Sequence, residues 1–415
     1  MNAGILKFRL GSMMFLQYFI WGAWYVTLST WLSEGLHLSG QQIGLVAGTT
    51  AVGAMVAPFF MGLLADKWVA TEKLLALLHI TGALLLWTAS TETAFLAVYT
   101  ILLLYCLCYM PTLALTNSLA FRHMRDPQAE FGAVRVLGTL GWIVAGLLVG
   151  TLRIEASAVP LRIAAGCSLL MGLYCLTLPS TPALGQTRIP GGSLLRRSLG
   201  VLRPRRMAVF ALASLLICIP LQFYYAFTNL FLNQTGVAHA ASKMTGGQIS
   251  ELACMLLIPV FFRRLGVKYM LSAGMFAWVL RYLCFAYGNP DSRVWMLWAG
   301  ILAHGICYDF FFVTGQIFID REAPDALRAS AQGLISFLTY GAGMFIGSYV
   351  SGAVVQHFTI ANSGGLFAWK PIWLFGAAAA AIVLIGFLLV FPADRDSSGK
   401  STSLKQAEEA GIPAL

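Results

Sequence analysis

Glu251, Asp309, Arg135 and Arg281 each interrupt a long apolar run, and nothing else in those runs carries a full charge. Glu251 lies in GGQISELACMLLIPVFFRR, about 18 Å along a helix from the closing arginine pair. Gln248 precedes it by three positions, a spacing that sets an amide and a carboxylate on one helical face. That pair suits the hydroxyls and ring nitrogens of a polar neutral solute, or else it is a neutral carboxyl bonding a neighbouring helix as structural glue. Asp309 sits in AHGICYDFFFVTG beside His304, Tyr308 and three phenylalanines. Burial favours a protonated carboxyl and a nearby arginine an ionised one, so an Asp that meets each in turn can load and release a proton. His304 titrates near neutrality and could share that work, although an isolated His in such a run more often makes a structural hydrogen bond.

Arg135, Thr139 and Trp142 fall at i, i+4 and i+7 in AVRVLGTLGWIVAG, on one stripe. A guanidinium, a hydroxyl and an indole in line can pair a carboxylate and stack a flat ring. The competing expectation is that Arg135, near the start of its run, reaches back to an interface. Gln222 with Phe223 and Tyr225 in LQFYYAFTN adds another amide and aromatic set. Arg281, in WVLRYLCFAYG, is expected to be structural or to snorkel outward, and is not placed among the binding residues.

The elements that must hold these groups are membrane helices. Of 415 residues, 58% are hydrophobic and 11% charged, and the mean hydropathy is +0.76, outside the range of soluble domains. The apolar runs are long enough to span as helices, which sets aside a β-barrel of short alternating segments. Twelve spans are predicted, from about Leu10 to Leu32, Ile43 to Leu64, Leu74 to Ser90, Phe95 to Leu119, Val134 to Leu152, Ala158 to Leu178, Ala208 to Phe231, Ile249 to Phe262 with some upstream extension, Tyr269 to Tyr287, Val294 to Ile319, Ala331 to Val355 and Trp373 to Phe391. A charge at the centre of a bilayer costs about 2.5–3.5 kcal/mol, so each of the four should face the protein interior or a watery cavity.

The net charge of +10 reports topology, with no nucleic-acid partner implied. With the N-terminus in the cytoplasm, twenty Lys and Arg fall on the cytoplasmic side and only five (Arg153, Arg162, Lys243, Arg293, Lys370) on the other. That asymmetry predicts a multi-pass protein of the inner membrane with both termini cytoplasmic. The eight cysteines lie within or at the edge of spans without CxxC or zinc spacing and read as small apolar residues, so no metal or cofactor is expected. The first apolar run continues to full spanning length without a convincing cleavage site, so no cleavable leader is expected.

A Pro-, Gly- and Arg-rich interruption at 179–206 divides the chain into a six-helix bundle at 1–178 and another at 207–393, followed by a polar tail at 394–415 that is expected to be disordered. Six plus six joined by a basic loop is the plan of carriers that hold substrate near the midplane between two repeats. GLLADK at 62–67 is similar to the signature loop of the major facilitator superfamily, with Gly62, Asp66 and Lys67 matching and Val69 where a second Gly is usual. RRLGVK at 263–268 is a weaker echo in the second half.

The chain as a whole resembles the bacterial nucleoside:proton symporters of that superfamily. The likeness is carried by LQYFIWGAW (16–24), ADKW (65–68), YMPTLALTNS (109–118), RVLGTLGW (135–142), QISE (248–251), WVLRYLCFAYGNP (278–290), YDFF (308–311) and RASAQG (328–333). The resemblance implies an all-α fold of twelve transmembrane helices in two six-helix bundles, importing nucleosides by alternating access with an inward proton. By position it implies that Arg135, Thr139, Gln222, Gln248, Glu251, Tyr308 and Asp309 handle substrate or proton, with Glu251 and Asp309 the coupling candidates. Trp142 stands where a Phe is expected, Tyr225 where an Asn is, and His304 where a Tyr is.

The expected partners are therefore a nucleoside, protons and the lipid bilayer, with the chain acting as a monomer. A facilitator-type carrier for a sugar or nucleobase, or an exporter of amphipathic compounds, would use a similar polar set. A membrane enzyme is disfavoured, since neither HExxH nor GxSxG occurs.

Overall fold

The computed structural model describes residues 3–64, 69–183, 200–324 and 327–392. Asp66 and Lys67 of the signature loop, most of the 179–206 linker and the 394–415 tail lie outside the described residues. Among those described, eight helices are long and apolar enough to cross a membrane. One of them, Ala240–Tyr287, is two helices joined at Gly266, whose φ of 68° and ψ of −179° turn the chain within a single residue. A side chain at that φ would be strained, which is why the position takes glycine. Ala3–Trp24, the pair Gly40–Ala47 and Thr49–Leu64, and the shorter Val159–Cys175 bring the passes to twelve.

Local chemistry sets where several passes begin. At the start of the second, Ser39 accepts from the Gln42 backbone N–H while the Gln42 side chain accepts from the Ser39 N–H, at 3.3 and 3.0 Å. This reciprocal cap satisfies two donors that the first helical turn would otherwise leave open. The eighth pass starts immediately after His239, whose φ of 56° is left-handed. It therefore begins at Ala240, upstream of the predicted Ile249, and Gly246–Gly247 lies inside it. The glycine pair is a crossing point: a Cβ on Gly247 would lie 3.1 Å from the His304 Cβ, and one on Gly246 would lie 3.3 Å from the Trp298 ring.

Side-chain placement follows the solvent on each face. Leu256 and Leu389 are 81% and 80% exposed on helix exteriors, tolerable only where lipid replaces water. Trp24, Trp278, Trp373, Phe223 and Phe227 fill the interior with almost no exposure. The tenth pass is irregular where the chemistry is. A one-residue interruption at Ala303 is followed by His304–Tyr308 and by a π-helical turn from Asp309 to Val313. The eleventh has its own π-helical turn at Phe337–Gly343, which carries Tyr340. Such turns widen the helix by one residue and recur at functional sites.

Candidate functional site

Two gatherings of polar groups bridge the halves, one deep in the protein and one at the end away from the termini. In the deep one, the Arg135 guanidinium lies 4.1 Å from the centroid of the Tyr18 ring. It points inward and does not reach back to an interface; a cation over an aromatic face contributes about 0.5–2 kcal/mol, depending on its exposure to water. Arg135 is also within Coulombic reach of the Glu251 carboxylate and the Tyr308 hydroxyl. Glu251 Oε2 stands 3.7 Å from His304 Nε2, and the Tyr308 hydroxyl is 2.8 Å from that of Tyr340.

A ladder of rings crosses between the halves beside these charges. Trp142 meets Trp21 edge to face at 5.4 Å, Trp21 meets Tyr25 at 5.8 Å, and Tyr25 meets Tyr225 at 6.3 Å. Tyr225 in turn meets His304 at 6.2 Å, and His304 meets Tyr308 at 5.9 Å. Gln222 is fully buried, and its side-chain amide faces the Tyr25 hydroxyl across the two halves. An amide has more donors and acceptors than one hydroxyl satisfies, so it can also bond an incoming polar solute. Thr139 and Gln248 are half-buried on the same helices as Arg135 and Glu251.

Asp309 does not join this group in the way expected. It is fully buried, both carboxylate oxygens lack a hydrogen-bond partner, and it forms no ion pair with Arg135. It lies within Coulombic reach of Glu251 instead. Of the two roles expected for Arg281 the structural one applies: it is 0% exposed, donates from Nε to the Gly300 carbonyl at 2.8 Å, and stacks 3.8 Å over the Tyr224 ring, so it does not snorkel. The reason is geometric, since the ninth pass packs on the interrupted tenth, whose free carbonyls accept from a guanidinium. Tyr18, Trp21, Tyr25 and Tyr340 were not singled out from the sequence, and aromatic residues within apolar spans give no signal separating a site from packing.

The second gathering seals the far end. Glu155, 4% exposed and carried by the first half, accepts from Asn229 Nδ2 at 3.0 Å, Asn233 Nδ2 at 2.5 Å and the Ala241 N–H at 3.0 Å, all from the second half. Thr30 donates to Asn229 Oδ1 at 2.6 Å. Arg153 donates to His239 Nε2 at 3.0 Å, and His239 Nδ1 bonds the Gly150 carbonyl at 2.8 Å. Glycines let the backbones close: a Cβ on Gly44 would sit 2.6 Å from the Gly352 Cα. Glu34, beyond the end of the first span, has its carboxyl pushed above the usual range, first by burial and then by the Glu155 charge.

At the end carrying the termini, ion pairs are found among the described residues. Lys7 pairs with Glu130 and Arg206 with Glu322, at 3.4 and 2.9 Å. A cavity of about 450 Å³ there is lined by Asn117, Ser118, Phe121 and Arg122, all on the fourth pass. The deep site thus lies beneath the sealed end.

A carrier with this layout has relatives of known kind. The family model of the nucleoside H+ symporters matches residues 4–396. The chain belongs to that family. It is 34% identical to the xanthosine permease of Escherichia coli K12, over 94% of this chain and 97% of the relative. It is 38% identical, over 96% of each chain, to YegT of the same organism, described provisionally as a nucleoside transporter. Its fold is similar to the crystal structure of the nucleoside transporter NupG, with a TM-score of 0.87 and 32% identity over 95% of this chain and 100% of that one. The chain is thus a multi-pass membrane protein of two six-helix bundles, and the family assigns it proton-coupled nucleoside import.

Proposed function

We propose that nucleoside binds between the bundles 1–178 and 207–393, in the space bounded by Arg135, Tyr18, Glu251, His304 and the ring ladder. The observation that carries this reading is convergence. Groups from both halves meet at one place beneath a sealed far end, as a carrier that opens its two ends in turn requires. Trp142 and Tyr225 offer faces for a base, while Gln222, Gln248, Thr139 and Tyr308 offer hydrogen bonds to base and ribose. Arg135 orients Glu251, and Glu251 exchanges the coupled proton with the cavity.

Asp309 has the second protonatable role. An ionised carboxylate there would be buried without a partner, at a cost of several kcal/mol, so Asp309 holds its proton in this conformation and releases it only when the surrounding helices move. The positive-inside asymmetry supports cytoplasmic termini. With that orientation, in the inner membrane, the sealed end is outward and the conformation is inward-facing. The chain acts as a monomer in lipid, because each half completes the site of the other.

The test is uptake of labelled nucleoside into proteoliposomes with and without an inward proton gradient. Glu251→Gln is expected to keep nucleoside binding and lose the stimulation by the gradient; Asp309→Asn is expected to lose accumulation as well. Gradient-stimulated uptake at wild-type levels in both variants would refute the assignment.

A further inference from the structure

Resting on the reading of Glu251 as the proton site, one buried cation of the protein still lacks a role. Arg281 belongs to the ninth pass and touches neither Glu251 nor the cavity, yet it is entirely buried. It donates from Nε to the Gly300 carbonyl at 2.8 Å and from Nη2 to that of Ile301 at 3.5 Å. Those carbonyls lie just before the Ala303 interruption that presents His304. The guanidinium lies 3.8 Å over the Tyr224 ring, and that ring, which also meets Tyr225 and Phe285, stacks on His304 at 5.3 Å with an interplanar angle of 22°. Cation, phenol and imidazole form one pile that ends 3.7 Å from the Glu251 carboxylate.

We infer that Arg281 is a positioning residue for the proton site: through Tyr224 and His304, its fixed cation denies His304 a proton and leaves the Glu251 carboxylate without a competing ionic partner. Three observations support this. His304 is 3% exposed and its Nδ1 has no hydrogen-bond partner, so an imidazolium would bury an unpaired N–H. The 3.7 Å separation from Glu251 exceeds the ~2.7–2.9 Å of a charge-assisted bond, although the two groups are within reach of one. A second cation stacked on the ring that Arg281 already covers would be repelled by it in a medium that screens poorly.

The charged and titratable groups around His304 are Glu251 from the eighth pass, Arg281 from the ninth, Tyr224 and Tyr225 from the seventh, and Tyr308 on its own pass. Only Arg281 among them opposes a positive imidazole. Remove it, and His304 can take a proton and pair with Glu251, which then accepts the transported proton only from a more acidic medium.

The experiment is nucleoside uptake by the full chain in proteoliposomes as external pH is varied, in wild type, Arg281→Gln, Arg281→Lys, His304→Tyr and the double variant Arg281→Gln/His304→Tyr. Arg281→Gln should move the alkaline limb of uptake down by about one pH unit, the usual effect of a nearby charge. Arg281→Lys should restore the wild-type profile, and the double variant should match His304→Tyr alone. A merely structural arginine would lower uptake without moving the limb. An unmoved limb in Arg281→Gln, or a shift that survives in the double variant, overturns the inference. Should Arg281→Gln not fold, histidine-selective nitrogen NMR of wild type decides: a neutral His304 signal, assigned by its loss in His304→Tyr, supports the inference at pH 6, and a cationic one overturns it. Glu251→Gln separates the two levels. If its uptake keeps the wild-type pH profile, the proton-site reading fails; if its uptake is flat and Arg281→Gln is unshifted, only the role of Arg281 fails.

Discussion

Replacing Glu155 by alanine should unlatch the far end of the transporter. In the present conformation its carboxylate accepts three hydrogen bonds from the opposite half, from Asn229, Asn233 and the Ala241 N–H. When that end opens, water takes over each of these bonds, so only the net advantage of a protein partner is lost, about 1 kcal/mol per bond. Three bonds give a bias of about 3 kcal/mol toward the sealed state, a factor of about a hundred in the two-state ratio. The bias can be read by pulsed dipolar spectroscopy between nitroxides at Ala156→Cys and Ala238→Cys, exposed positions on opposite halves, with the eight native cysteines replaced. Wild type should show one short distance, and Glu155→Ala a second, longer population of comparable size. An unchanged distribution would refute the claim that these bonds hold the end shut.

Other expectations follow from the same geometry. Gly44→Val should trap the far end open, because its side chain would collide with the Gly352 backbone; uptake should vanish while nucleoside binding from that side persists, measurable by equilibrium binding to sealed vesicles of known orientation. Glu34, held above the usual carboxylate range in the folded chain, should contribute stability in acid that is lost as pH rises through its raised value. Thermal melting across mildly acidic pH should show that trend in wild type and a smaller one in Glu34→Gln. Tyr18→Leu removes the ring beneath Arg135 and should weaken nucleoside binding by roughly twofold to thirtyfold, the range of a cation–π contact of about 0.5–2 kcal/mol, with little change in folding measured by thermal melting.

The charges were legible in the sequence because a charge inside an apolar run is a one-dimensional signal: Glu251 and Arg135 stood out before any fold was considered. The direction in which such a charge points was not. Arg281 near the end of its span looked free to reach outward, and only the packing of the ninth pass on the interrupted tenth turns it inward. Glu155 was unreadable for a related reason. It lies between two predicted spans, where an acid is ordinary, and its burial is created by the opposite half of the chain. The ring ladder was hidden by its own chemistry, since Trp21 and Tyr25 in an apolar helix look the same whether they line a cavity or fill a core. The Gly246–Gly247 pair blurred the start of the eighth pass because glycines that permit close crossing and glycines that end a helix share one letter.

The single-residue elbow at Gly266 has a mechanical consequence. Two long helices joined without a loop have no slack between them, so the eighth and ninth passes swing as one bent lever with its knee at the terminus-bearing end. Glu251 rides on one arm and Arg281 on the other. The spacing between the proton-carrying acid and the cation that guards its neighbour therefore changes least in the whole site as the bundles rock, while the distances from Glu251 to Arg135 and Tyr18, which belong to the other half, change most.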